Sequence, residues 1–124
     1  MRKDIKKRRN LDSKKLAVKL AELALSKKAT DIKILDLRKL TTITDYFVIC
    51  TAHSDVQVKA IADAIMEGSK IDGERPWHKE GMTHKTWVLL DYVEVVVHIF
   101  LNETRSFYGL EKLWGDAKVT EISD

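Results

Sequence analysis

The sequence predicts an α/β (α+β) fold, a mixed sheet flanked by helices in the order α-β-β-α-β-β-α. Three observations predict it. YFVICT (46–51) is a continuous apolar run of aromatic and β-branched residues, the mark of a central strand covered on both faces. Val58, Ile61, Ala62, Ile65 and Ser69 follow it at i, i+3, i+4, i+7 and i+11, the stripe of a buried helix. TWVLLDYVEVVVHIF (86–100) then carries two apolar runs around Tyr92-Val93-Glu94, which reads as a hairpin or a sharply bent strand.

The remaining elements follow in order. Asp12 or Ser13 caps a first helix running to about Lys27, with Leu16, Leu20 and Leu23 on one stripe and Ala17, Ala21 and Ala24 beside it. The small alanines suit a helix lying close to a sheet. DIKILDL (31–37) alternates, Ile32, Ile34 and Asp36 against Lys33, Leu35 and Leu37, as a strand does. TTITD is polar and reads as a turn. Ser54 followed by Gln57 is a capping box for the second helix, and Lys59 and Asp63 form an exposed i, i+4 pair on it. IDGERPWHKEGMTH, with two glycines and the single proline, is predicted to be a loop. Asp91 and Glu94 suit exposed positions at the hairpin turn. Asn102 or Thr104 caps a short last helix in which Phe107, Leu110 and Trp114 form the packing stripe and Gly115 the stop, while Tyr108 falls off the stripe. Gly109 weakens the middle of that helix by about 1 kcal/mol relative to alanine.

The domain organisation is a basic arm expected to be disordered (1–11), one domain (12–117) and a polar tail (118–124). A chain of 124 residues is one ordinary domain with a core of its own. No apolar run approaches the ~20 residues of a membrane span, and the charged N-terminus is not followed by the apolar segment of a signal peptide. A single cysteine, Cys50, excludes an internal disulfide and fits a reducing compartment. Residues 1–15 hold eight cations against two carboxylates, net +6, and the rest of the chain is net −3. The arm is therefore a candidate for weak RNA contact through phosphates, against the simpler reading of a solvated terminus.

Catalytic patterns are missing. None of the five glycines stands in a G-x-G or G-K-[ST] setting, and no paired aspartates suit a metal-dependent transferase. His78 and His84 share a loop without a third ligand at a zinc spacing. Cys50 and His53 imitate a nucleophile and base, but Cys50 closes a buried strand and reads as a packed, inert thiol. His98, beside Val88, Leu90 or Tyr92, reads as a core-edge histidine bonded to backbone. No catalytic residue, metal or cofactor is predicted. Binding surface remains. Trp87, Leu89 and Asp91 share one strand face and Val88, Leu90 and Tyr92 the other, so the aspartate marks a wet face with Trp87 as its exposed aromatic.

DYFVICTAHSDVQVKAIAD, WVLLDYVEVVVHIF and FYGLEKLWGDA, in this order and at these separations, resemble the ribosomal silencing factor (Iojap-like) family over about residues 12–117. The resemblance implies a nucleotidyltransferase-like fold without the catalytic motifs. It implies a translation repressor that binds the large ribosomal subunit at large-subunit protein fourteen and blocks joining of the small subunit, with a role in large-subunit biogenesis. It implies a homodimer in solution and a cytoplasmic location, or a mitochondrial or plastid one in a eukaryote. Carried over by position, the contact surface is Trp87, Leu89, Asp91, Tyr92, Val93, Glu94 and Tyr108. Two places depart from the family pattern. Thr51-Ala52-His53-Ser54 stands where members usually have a glycine-rich loop, and Val93-Glu94 where they usually have Gly-Asp. The alternative reading is a nucleotide-dependent enzyme with an altered transferase site.

Overall fold

The computed structural model describes residues 2–124, with side chains from Ser13 onward. Helix α1 is Arg2–Ser26, and the strands are β1 Thr30–Asp36, β2 Tyr46–Ala52, β3 His78–Glu80, β4 Trp87–Asp91, β5 Val95–Leu101 and β6 Lys118–Ile122. Helix α2 is Asp55–Ile71, α3 Asn102–Tyr108 and α4 Leu110–Leu113. The six strands form one sheet in the order β3-β4-β5-β2-β1-β6. Among the described residues only β2 and β5 run parallel, so the predicted mixed sheet is present. The cap expected at Asp12 or Ser13 falls within α1. The backbone of the basic arm, expected to be disordered, continues α1 back to Arg2, and its side chains lie outside the described residues.

Helices α1 and α2 cover one face of the sheet. Ala17, Leu20, Ala21 and Ala24 of α1 are all fully buried there, while Leu16 and Leu23 are only partly so. The alanines thus form the contact stripe, because a residue without side-chain bulk lets the helix backbone approach the sheet. The buried residues of α2 are Val58, Ile61, Ala62, Ile65 and Ser69, as the periodicity predicts. At Gly68 the two helices touch: a Cβ there would stand 2.4 Å from Leu23 Cδ2, so any side chain would make Leu23 shift. Ser54 caps α2 by accepting from the Gln57 N–H at 3.1 Å. The Gln57 side chain reaches one residue further back than a capping box requires. It accepts from His53 N–H at 2.8 Å and donates to the Lys27 and Lys28 carbonyls, fastening the end of α1 to the start of α2.

Two segments read as irregular are strands. The tail contributes β6, paired antiparallel with β1 from Asp36↔Lys118 to Ile32↔Ile122. Its signal is weak because an edge strand exposed on most of its surface needs few apolar residues; only Ile122 packs against the core. The loop contributes β3, whose three residues are all exposed. The last helix is two pieces, since Gly109 takes a left-handed conformation (φ 56°) that ends α3 and starts α4. That break removes Phe107 from the register of Leu110 and Trp114, and Phe107 is 81% exposed instead of packed.

The hairpin between β4 and β5 turns on Tyr92, Val93 and Glu94. Asp91 Oδ1 accepts from the Val93 N–H at 2.8 Å, and the Tyr92 N–H donates to the Val95 carbonyl at 2.8 Å. Val93 has φ 74°, a conformation that a β-branched residue adopts only under strain. Glycine removes that strain but adds chain entropy to the unfolded state. We expect Val93→Gly to raise stability by about 1 kcal/mol and Val93→Ala, which keeps a Cβ, to raise it much less. Paired thermal melts check this; a Val93→Gly protein that melts lower than its parent would show that the turn carries no strain.

Candidate functional site

The second face of the sheet is covered only in part. Leu35, Leu37, Ile49 and Phe100 form a small buried cluster there, beneath Leu110, Trp114 and Ala117 from the C-terminal pieces. Trp87, Leu89 and Asp91 share this face, all half-buried, while Val88 and Leu90 are sealed in the main core. The sorting of β4 by alternation therefore holds, with a wet face and a dry one. Trp87 is not a free aromatic, however. Its ring packs 4.9 Å from Phe100 and 4.7 Å from Tyr108, and its indole N–H donates to His98 Nδ1 at 3.1 Å.

That bond sets the state of His98. An indole can only donate, so Nδ1 is the acceptor and the imidazole proton sits on Nε2. Burial pushes the His98 pKa down to about 4, so the ring is neutral at physiological pH. Its surroundings differ from those expected. The register pairs His98 with Leu89, which puts the ring on the face of Trp87 and Phe47, away from Val88, Leu90 and Tyr92. Its partner is a side chain rather than backbone. Among the described residues, His98 Nε2 is buried with no hydrogen-bond acceptor.

Beside this ring lies a groove of about 230 Å³, whose lining includes Ile43, Phe47, Leu89, Val96, His98 and Trp114 together with Asp91. Ile43, from the segment read as a polar turn, is 85% exposed there and escaped notice in the sequence because it stands alone among threonines. Tyr108 is 53% exposed and flanks Trp87, as its position off the stripe predicts.

The structure brings Trp87, Leu89, Asp91 and Tyr108 onto this face and corrects two of the remaining site residues. Tyr92 is buried in the main core, where its hydroxyl meets Ser69 Oγ at 2.8 Å and burial raises its pKa. It falls on the dry face because it continues the alternation of Val88 and Leu90. Glu94 is buried as well, contrary to an exposed turn position. Its carbonyl accepts from both the Asp45 and Tyr46 N–H groups, which draws the residue against the start of β2. Val93 is half-buried at the turn.

The other chemical candidates are engaged in the fold. Cys50 is fully buried, and desolvation pushes its thiol up to about 12, too high for a thiolate at neutral pH. His53 Nε2 is 3.0 Å from Thr30 Oγ1, and His78 Nε2 is 2.6 Å from Glu80 Oε2. Thr51 Oγ1 accepts from Arg105, a residue that the sequence reading passed over. The Arg105 guanidinium is buried, donating also to the Asp31 carbonyl at 2.6 Å and to Glu111 Oε1 at 2.8 Å. Among the described residues no helix is long and apolar enough to cross a membrane.

Residues 10–124 match the family described as "Ribosomal silencing factor during starvation". The chain belongs to the ribosomal silencing factor family. It is 41% identical over 111 residues to "Ribosomal silencing factor RsfS" of Bacillus subtilis, covering 89% of this chain and 94% of that one. It is 42% identical over 109 residues to "Protein Iojap, chloroplastic" of Zea mays, covering 86% of this chain and 46% of that longer protein. A crystal structure of a Chromobacterium violaceum protein superposes with a TM-score of 0.80 at 32% identity, covering 90% of this chain and 92% of that one. The ribosomal silencing factor match takes in β6, which the three motifs, ending at residue 117, left outside.

Proposed function

We propose that this chain is a translation repressor that silences ribosomes without covalent chemistry. It seats the open sheet face on large-subunit protein fourteen and so blocks joining of the small subunit, with a further role in large-subunit biogenesis. The observation that carries this reading is the apolar groove on a partly covered sheet face, lined in part by Asp91, with Trp87 and Tyr108 packed together beside His98 of its wall. A face of this kind gains from burial against a protein, and aromatic side chains that are already packed lose little entropy on binding. The net −3 of residues 16–124 favours a basic partner. The relatives' name, silencing factor, agrees with an agent that acts by occupying space. The proposal includes a homodimer in solution. It places the protein in the cytoplasm of a bacterium or in the corresponding organelle of a eukaryote.

Trp87 and Asp91 are poor residues for testing it. Removing the first orphans His98 Nδ1, and removing the second releases the Val93 N–H, so either change disturbs the fold. Ile43 and Leu89 line the same groove without such bonds. We expect Ile43→Asp and Leu89→Ala each to weaken co-sedimentation with purified large subunits at least tenfold, roughly 1.4 kcal/mol, at unchanged circular dichroism. Full binding by both folded variants would place the contact elsewhere.

A further inference from the structure

On the α2 side of the sheet, away from the groove, a second concavity of about 510 Å³ lies between α2 and the segment leading into β3. Its walls are Met66 and Lys70 of α2, Arg75, Pro76 and Trp77 of the segment, and His78 and Lys79 of β3. Trp77 is 72% exposed, and among the described residues its ring has no aromatic or cationic partner. Its backbone is fixed all the same, because the Trp77 N–H donates to the Asp91 carbonyl at 2.7 Å and Pro76 restricts the chain before it. The ring is thus presented from an anchored strand edge. Lys70, Arg75 and Lys79 form no ion pair among the described residues. Of the nearby acids, Asp72 pairs with Lys19 at 2.9 Å and Glu80 with His78 at 2.6 Å, while Glu67 and Glu74 stand outside the lining. Among the described residues no carboxylate lines the concavity.

We propose that this concavity is an RNA-binding site that takes an unstacked, single-stranded nucleotide, its base on Trp77 and its flanking phosphates on Lys70, Arg75 and Lys79. A lone exposed tryptophan is ordinary, and so are scattered surface lysines. Here three unpaired cations ring one anchored indole, on a body whose net charge outside the arm is negative. Positive charge gathered against the prevailing sign marks an anionic ligand. A flat indole among the cations marks one that also has a π-face, and single-stranded nucleic acid supplies both. The lining shares no residue with the proposed protein contact, so the site stands or falls independently of that contact. In a ribosome-bound molecule it would add an RNA contact on the side opposite the groove.

The test uses the full chain and a fluorescein-labelled single-stranded RNA twelve-mer of mixed sequence, with UMP and an RNA duplex as further probes. Stacking on Trp77 predicts quenching of indole emission by the single strand and little by the duplex or the mononucleotide. Trp77→Ala should weaken binding about tenfold and abolish that quenching, while the arm keeps its residual affinity. The triple variant Lys70→Gln, Arg75→Gln, Lys79→Gln should lower the slope of log affinity against log salt by about 2. Ile43→Asp should bind the oligonucleotide as the parent does. Equal affinity and equal quenching in Trp77→Ala would overturn the proposal. So would a Trp77→Ala protein that loses large-subunit binding but keeps RNA binding, since that result assigns the patch to a protein surface. Equal binding of duplex and single strand with no quenching would assign RNA contact to charge alone and would also overturn it.

Discussion

Arg105→Ala is expected to cost about 3 kcal/mol of folding stability, a large share of the ~5–15 kcal/mol that holds a domain of this size. Arg105 is buried, and its guanidinium joins three segments that are far apart in sequence. It donates to the Asp31 carbonyl, to Thr51 Oγ1 and to Glu111 Oε1, at 2.6, 2.8 and 2.8 Å, and its Nη2 lies 3.5 Å from the Asp31 carboxylate. Alanine leaves the Thr51 oxygen and the Asp31 carbonyl without a donor and frees α4 from α3. Glu111 and Asp31 are partly exposed and rehydrate, which keeps the loss below that of a fully sealed pair. Lysine should not rescue the fold, because one ammonium cannot reproduce the planar fork. Urea denaturation should show a midpoint lowered by roughly 2 M at constant slope. A shift under ~0.5 M would mean that the contacts around Arg105 are no better than their hydrated counterparts.

The Glu111 carboxyl gives this network a pH signature. Its pKa is lowered, first by the hydrogen bond from Arg105 and then by Lys33, whose ammonium is 3.3 Å away. A depressed carboxylate stabilises the fold above its ordinary pKa and loses that contribution as pH falls through the folded value. In Arg105→Ala this part of the acid-side loss should shrink. The same network explains why Phe107 and Tyr108 can stay exposed on α3: the helix is held from beneath by a charged group rather than by a hydrophobic stripe.

How much could be read in advance depended on how local the cause was. The α2 stripe, the alternation of β1 and the two faces of β4 follow from side-chain periodicity along one segment, and each is found as predicted. The break at Gly109 is also local, but its consequence for Phe107 was not legible. A glycine lowers helix propensity without announcing that the next residues will leave the register. Edge strands β3 and β6 were missed because their signal is pairing with a neighbour, and an exposed Lys-Val-Thr-Glu-Ile carries little apolar weight. Arg105 was passed over because its partners lie at positions 31, 51 and 111, which no sequence window joins. At the candidate site, alternation sorted Trp87, Leu89 and Asp91 onto one face, and they share it in the structure. The same rule, carried one step further through Tyr92, would have removed that residue from the contact list.

His98 should make the protein acid-sensitive at a pH where most carboxylates are still ionised. Its folded pKa is lowered to about 4, with burial as the cause, against about 6.5 in an unfolded chain. Between those values the unfolded state binds a proton that the folded state refuses, so stability falls as pH falls. The contribution is complete above about pH 6.5 and is lost as pH drops toward 4. The full loss is about 3 kcal/mol, of which about 2 has gone by pH 5. His98→Asn should flatten this slope, since the Asn oxygen can replace Nδ1 as acceptor for the Trp87 indole without taking up a proton near neutrality. The variant should be weaker at pH 7.5, where it leaves space beside Phe47, yet nearly level from pH 7 to 5. Because protonated His98 would set two donors against each other along the Trp87 bond, acid should also open the groove side first, seen as a red shift of indole emission before the far-ultraviolet signal changes. Parallel slopes for parent and His98→Asn would show that the ring is protonated in the folded protein without cost, and the burial argument for its neutrality would fail.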